Sequence, residues 1–175
     1  LFLAAVSCLS LAVSASAAGT TTRKATDFKD YDRSAWYAEA VSAAVDNGLL
    51  YGKSSTIIDP NGDMTRAEMA AIINRSFGCY KVADISQYKD VAKSKWYYKD
   101  VGLAVQMGTY NGRSSSSMAP DAPITREEAM TVVARALELD YDAYAKTDLS
   151  KFADEKNISS WALPYVRAMV GADYI

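Results

Sequence analysis

No histidine occurs anywhere in this chain of 175 residues, and only two cysteines do. These two scarcities remove a wide class of functions. Without an imidazole there is no partner to activate a serine or cysteine nucleophile, no serine nucleophile motif is present, and no metal cluster stands out. Cys8 lies in an apolar leader, so Cys79 is the single cysteine expected after processing, and no internal disulfide can form. Cys79 reads as a small buried hydrophobe near a helix end. Glycine and proline are sparse, at nine and four, as in a globular domain. Net charge is close to zero, at a formal −2, which withholds the basic surface that nucleic acid requires. Paired carboxylates could in principle cleave a glycan, but no pair stands out.

The first eighteen residues carry no charge and run from Leu1 to Ala18. A short apolar core ending in Ala15-Ser16-Ala17 has the pattern of a secretory signal peptide over residues 1–17, with cleavage after Ala17, and is too short to commit to a membrane span. Ala5-Val6-Ser7-Cys8 is the rival, a loose lipoprotein processing site at Cys8. No transmembrane span is expected in the mature chain. The leader has neither an initiator Met nor a basic start, so the sequence is expected to be a fragment at that end. About 155 residues remain, enough for one domain with a real core.

What is present is repetition. Thr65-Arg66-Ala67-Glu68 returns sixty positions later as Thr125-Arg126-Glu127-Glu128. In each, a threonine followed three residues on by glutamate and then by an apolar run is a capping box: the hydroxyl accepts a first-turn amide and the carboxylate reaches back to the threonine amide. Thr65, Glu68, Thr125 and Glu128 are therefore read as helix-capping residues. The box leaves its second position without an evident structural duty. An arginine there, Arg66 and again Arg126, is unfavourable with the helix dipole.

Around the boxes, Phe28, Asp30, Trp36, Val41, Ala44, Val45, Gly48, Gly52 and Pro60 recur as Tyr88, Asp90, Trp96, Val101, Ala104, Val105, Gly108, Gly112 and Pro120. A third copy begins at Phe152 and Asp154, and one extra residue before Trp161 restores register through Val166, Met169 and Val170. The chain stops at Ile175, before a third glycine loop or capping box. Copy one spans 27–80, copy two 87–140 and an incomplete copy three 150–175.

In copy one a first helix is predicted from Ser34 or its neighbours to about Asn47, closed by Gly48, with Trp36, Val41, Ala44 and Val45 inward. A glycine-bearing loop follows, then a capped second helix with Met69, Ile72, Ile73 and Phe77 as its core stripe. Copy three starts its helix from Ser159 or Ser160, tolerates Pro164 in the first turn, and places Asp173 where the earlier copies have glycine. The fold class is mainly α: tandem helix–loop–helix repeats, the third truncated, that must pack on one another about a shared axis.

The pattern of Phe/Tyr-x-Asp, tryptophan, Gly-x-x-x-Gly, proline and Ile/Met-Thr-Arg-Ala/Glu-Glu resembles the S-layer homology (SLH) domain, over about residues 27–175. That resemblance implies a non-covalent cell-wall anchor, secreted and held at the cell surface, with copies packed in pseudo-threefold symmetry. It implies binding of secondary cell-wall polysaccharide carrying pyruvate ketals, with the motif arginine of each box, Arg66 and Arg126, in the grooves between copies. A peptidoglycan-binding tether for an outer membrane is the related alternative, and a purely structural protein–protein module, self-associating in a surface layer, is another. No enzyme activity and no cofactor are expected of this region.

The chemistry of the residues is compatible. Arginine offers a carboxylate a forked, charge-assisted donor pair, and helix N-terminal amides add a favourable field. The plainer reading of Arg66 and Arg126 is a salt bridge to a nearby acid such as Asp63 or Asp121. Trp36, Trp96 and Trp161 could stack on sugar rings, yet their position on the apolar side reads as core. Tyr51 and Tyr110, beside the loop glycines, are candidates for an exposed platform. Gly52 and Gly112 are expected to allow positive φ or close backbone approach. Asp30 and Asp90 are expected to bond loop amides. Asp59, Asn61, Asp63 and Thr65 alternate as in a calcium loop, but the glycine is misplaced, Ala70 holds the closing position, and copy two offers Ala119 and Pro123 instead. No metal site is expected.

Overall fold

The computed structural model describes residues 23–175. The signal-peptide expectation over 1–17 and the alternative at Cys8 lie outside the described residues. Five helices follow in order: α1 (Ala38–Asp46), α2 (Arg66–Phe77), α3 (Tyr98–Gln106), α4 (Arg126–Ala136) and α5 (Leu163–Gly171). Single 3-10 turns stand at Ala25–Asp27 and Glu155–Asn157, and no strand occurs among the described residues. The fold is mainly α, with two helices in each of the first two copies and one in the third.

Helices α2 and α4 start where their capping boxes require. Thr65 Oγ1 accepts the Glu68 amide at 3.2 Å and Glu68 Oε2 accepts the Thr65 amide at 2.8 Å. Thr125 and Glu128 repeat this at 3.2 and 2.9 Å. Two otherwise unpaired donors are satisfied at each end. Helix α1 starts later than predicted. The Ser34 amide and hydroxyl both go to Asp32 Oδ1, at 2.8 and 2.7 Å, so Ser34 belongs to a turn and the helix proper opens at Ala38.

That late start overturns the tryptophan expectation. Trp36 and Trp96 lie in the turns before α1 and α3, where helical spacing does not apply, and they are 92% and 59% exposed. In copy two the inward place belongs to the next residue: Tyr97 is 1% exposed, with Trp96 edge-on to it at 5.4 Å.

Chain reversals follow the repeat. Gly48 and Gly108 take φ 68° and 72°, and Asp173 takes 64° at the same place in copy three. Asp59 and Ala119 are also left-handed, at 56° and 52°, which sequence reading missed. Asp30 explains how copy one holds this conformation: its carboxylate accepts the Ile58 and Asp59 amides. Asp90 does the same for Met118 and Ala119 and also binds the Ser117 hydroxyl.

The packing unit is not the sequence repeat. Helix α2 of copy one packs on α3 of copy two, and α4 packs on α5 of copy three. The main core accordingly joins Ala67, Ala70 and Ile73 of α2 to Val101 and Ala104 of α3, with Ile85, Tyr97, Met118 and Val132 around them. Burial of each large apolar side chain is worth about 1.5–3 kcal/mol. The predicted stripe on α2 is therefore shifted. Ile73 is buried, but Met69 and Ile72 are half-buried and Phe77 is exposed, while the buried seam runs through Ala67, Ala70, Ala71 and Asn74. Small residues let the neighbouring helix approach closely.

Backbone bonds reinforce this joint. Ile124 donates to the Met64 carbonyl at 2.9 Å, and the first-turn amides of Arg66 and Ala67 donate to the Ala122 and Pro120 carbonyls at 3.0 and 2.9 Å. The amide of buried Asn74 donates to Asp100 O and Oδ1 at 2.8 and 3.1 Å. Smaller clusters fill the ends: Phe28, Val45 and Ile58 in copy one, and Leu149, Ala162 and Val166 in copy three.

Candidate functional site

Because second helices pack on the next copy's first helix, each boundary between copies leaves a groove. The first is walled by the Tyr51-Gly52-Lys53 loop, by Glu68, Ile72 and Arg75 of α2, and by Trp96 from copy two. The second repeats this sixty residues on, with Asn111-Gly112-Arg113, with Glu128, Val132 and Arg135 of α4, and with Trp161 from copy three. Arg66 and Tyr165 are added there. Their volumes are about 450 and 590 Å³, within the usual range for small-molecule sites.

Arg66 reaches forward from copy one into the second groove. It is 5% exposed. Its Nε donates to the Met118 carbonyl at 3.0 Å, Nη1 to Glu128 Oε1 at 3.0 Å and Nη2 to the Asn111 carbonyl at 3.1 Å. The guanidinium stands 5.2 Å from the Tyr110 ring centroid, and the Tyr110 hydroxyl donates to the Arg66 carbonyl at 2.9 Å. The second position of this box therefore has a structural duty, contrary to expectation. Its acid is Glu128, not Asp63. Asp121, the other expected partner, accepts instead from the Tyr97 hydroxyl at 2.9 Å. Burial and the Asp121 carboxylate push that phenol up to about 12.

The first-turn amides of α2 do not face a ligand either. Those of Arg66 and Ala67 are taken by carbonyls of copy two. Arg126 differs from Arg66 throughout. It is exposed at the edge of a third hollow with Glu127, Met130, Phe152, Asp154 and Ile158, and no ion pair involves it among the described residues.

A cation on each loop was missed by sequence reading. Lys53 Nζ contacts both oxygens of Glu68 at 2.7 Å and also the Asp63 carbonyl. Arg113 donates to both oxygens of Glu128 at 3.1 Å and to the Pro123 carbonyl. Each capping glutamate thus does two jobs, closing the helix start and clasping the loop that follows the glycine. The signal was in register, a base directly after Gly52 and after Gly112. Burial pushes the Glu128 carboxyl up, but Arg113, the Thr125 amide and Arg66 outweigh it and hold it below the ordinary value. For Glu68, burial is outweighed by Lys53 and by Thr65.

Tyr51 is exposed in the first groove, with the Arg75 guanidinium 4.1 Å above its ring. Tyr110 is buried, which overturns the platform expectation for it: the sixty-residue offset pairs Tyr51 with Asn111, and Tyr110 with Leu50 on the apolar side. Gly52 has φ 79°, and a Cβ there would meet Phe28 at 2.5 Å and the Ile57 carbonyl at 2.6 Å. Gly112 is excluded from larger residues by the Tyr88 ring and the Ser114 carbonyl. Trp96 and Trp161 each line a groove, whereas Trp36 lines neither.

Comparison with known proteins agrees with this architecture. The S-layer homology domain model matches residues 27–70 and 87–130. The chain is 34% identical over 137 residues to a surface-layer 125 kDa protein of Lysinibacillus sphaericus, covering 76% of this chain and 12% of that protein. It is 26% identical over 157 residues to an endoglucanase of a Bacillus species, covering 88% of this chain and 16% of that enzyme. With a cellulosome-anchoring protein of Acetivibrio thermocellus it shares 28% identity over 117 residues, 63% of this chain and 26% of the other. The chain thus spans a small fraction of the length of these relatives. Among the described residues no helix is long and apolar enough to cross a membrane. Two matched copies covering half of the sequence show that the chain belongs to the S-layer homology domain family, as a cell-surface anchoring module rather than a catalytic one.

Proposed function

We propose that this region tethers its protein to the cell wall by binding a secondary wall polysaccharide with acidic, pyruvate-ketal-bearing sugars in the grooves between copies. One observation carries the reading. The second groove is lined by three guanidiniums, Arg66, Arg113 and Arg135, and by the single carboxylate of Glu128, which pairs with the first two and leaves Arg135 over, beside a half-exposed Trp161. A surplus of forked cations next to an aromatic face is the chemistry that a carboxylated sugar requires. Arg66 contributes as the fixed wall of this groove, and Arg126 as an exposed fork at the next copy. Tyr51, Gly52 and Trp96 line the first groove, and Gly112 the second.

Co-sedimentation tests the choice of polymer. The chain should pellet with purified wall sacculi and stay in solution with sacculi stripped of secondary polysaccharide. Equal pelleting with both would replace this reading by peptidoglycan binding, and pelleting with neither would leave a protein–protein module.

A further inference from the structure

The two grooves share a scaffold and differ in charge. Lys53 and Arg75 in the first groove face Asp59, Asp63 and Glu68, so carboxylates outnumber cations there. In the second, three guanidiniums meet one carboxylate. The excess can be located. Arg66 is buried and bonded to carbonyls and Glu128, and Arg113 is paired with the same Glu128. Arg135 touches no carboxylate among the described residues. Its guanidinium lies 4.7 Å from the Tyr165 ring centroid and donates to that hydroxyl at 3.2 Å, a neutral partner. Tyr165 is in turn backed by Tyr141 at 5.4 Å, so the fork is oriented without being neutralised. Its counterpart Arg75 likewise touches no carboxylate among the described residues and stands over Tyr51, with one donor given to the Leu49 carbonyl at 2.9 Å, so the difference between the grooves lies in the acids that line them. In register with Trp96 and Trp161, the place of Tyr165 is held in copy two by an acid, Asp100, tied to Asn74.

Resting on the wall-glycan reading above, we infer that the grooves divide the ligand: the second selects the acidic sugar, with Arg135 as the specificity-determining cation and Trp161 as the stacking face, while the first takes an uncharged sugar of the same polymer. A sugar carboxylate in the second groove finds donors on Arg135 that no protein acid holds. In the first groove the same carboxylate meets a local surplus of negative charge, which disfavours it.

The indole N–H signals of Trp96 and Trp161 report each groove separately in an NMR titration of the whole chain. The probes are a methyl hexoside carrying a pyruvate ketal and the same glycoside without it. The ketal form should shift Trp161 with at least tenfold higher affinity than Trp96, and the ketal-free form should shift Trp96 at least as readily as Trp161. Arg135→Gln should lose about tenfold at Trp161 for the ketal form and little for the ketal-free form, Arg135→Lys should restore part of it, and Lys29→Gln, exposed and outside both grooves, should leave ketal binding unchanged. Ketal binding with equal affinity at both indoles would overturn the division while leaving glycan binding standing. So would a folded Arg135→Gln chain that binds as the unmodified chain does. No shift with either glycoside, in a chain that also fails to pellet with walls, would overturn the wall-glycan reading itself. The titration of the unmodified chain decides between grooves even if a variant does not fold.

Discussion

Arg66 and Arg126 hold the same place in two capping boxes and do different work. Arg66 is buried in hydrogen bonds to copy two, and its removal leaves the Met118 and Asn111 carbonyls and part of Glu128 unpaired. Breaking such a buried charged contact costs about 3 kcal/mol. Arg66→Ala should therefore lower the urea midpoint strongly, whereas Arg126→Ala, at an exposed position, should stay within about 0.5 kcal/mol. Equal effects in the two melts would contradict the clasp. A loss of wall binding in Arg66→Ala alone would then report the groove's shape as much as a ligand contact. Sequence reading saw that an arginine in the box needed a reason, but its partner lies sixty-two positions away, beyond any local pattern.

The same clasp sets a pH dependence. Glu128 and Glu68 titrate below the ordinary glutamate value of 4.5 in the folded chain. A depressed folded value means that the unfolded chain binds protons first as acid is added. The stabilisation is therefore complete above that ordinary value and lost as pH falls through it toward the folded one. Urea midpoints should be flat from neutral pH to about 5.5 and drop below about 4.5, and Glu128→Gln should lie lower at neutral pH and drop less.

At the scale of elements, local rules were legible and tertiary ones were not. The starts of α2 and α4 and the ends at Gly48, Gly108 and Asp173 are set by residues within one turn of each other, so sequence alone found them. Removing either capping threonine, by Thr65→Ala or Thr125→Ala, should cost about 1 kcal/mol in a chemical melt. The start of α1 was misplaced because Asp32 captures Ser34 in a turn. Starting the first helix of each copy too early carried Trp36, Trp96 and Trp161 into the expected core, although all three are exposed. The left-handed Asp59 and Ala119 were missed because their stabilising carboxylates, Asp30 and Asp90, lie about thirty residues earlier. Tyr110 was misplaced by a single residue of register.

The whole molecule is organised by interlocking. The sequence repeat is a helix, a loop and a capped helix, yet the packed pair is α2 with α3 and α4 with α5, so the main core is shared between copies and only small clusters stay within copy one and copy three. Both the grooves and the cross-copy role of Arg66 follow from that stagger, which a repeat alignment does not display. Copies joined this way should unfold together: far-UV circular dichroism and tryptophan fluorescence should give coincident urea transitions. A separate early transition of one copy would contradict the interlock. On the proposed reading, repetition of the grooves would give the anchor more than one hold on a polymer, so that modest affinity at each raises overall retention.

Wall retention before and after mild acid removal of pyruvate ketals tests the central claim most directly. Co-sedimentation of the chain with intact walls should be strong, and with ketal-stripped walls it should fall at least tenfold, with the remaining binding insensitive to Arg135→Gln. Undiminished pelleting on ketal-stripped walls would contradict an acidic-glycan anchor and return the arginines of the second groove to structural duty alone.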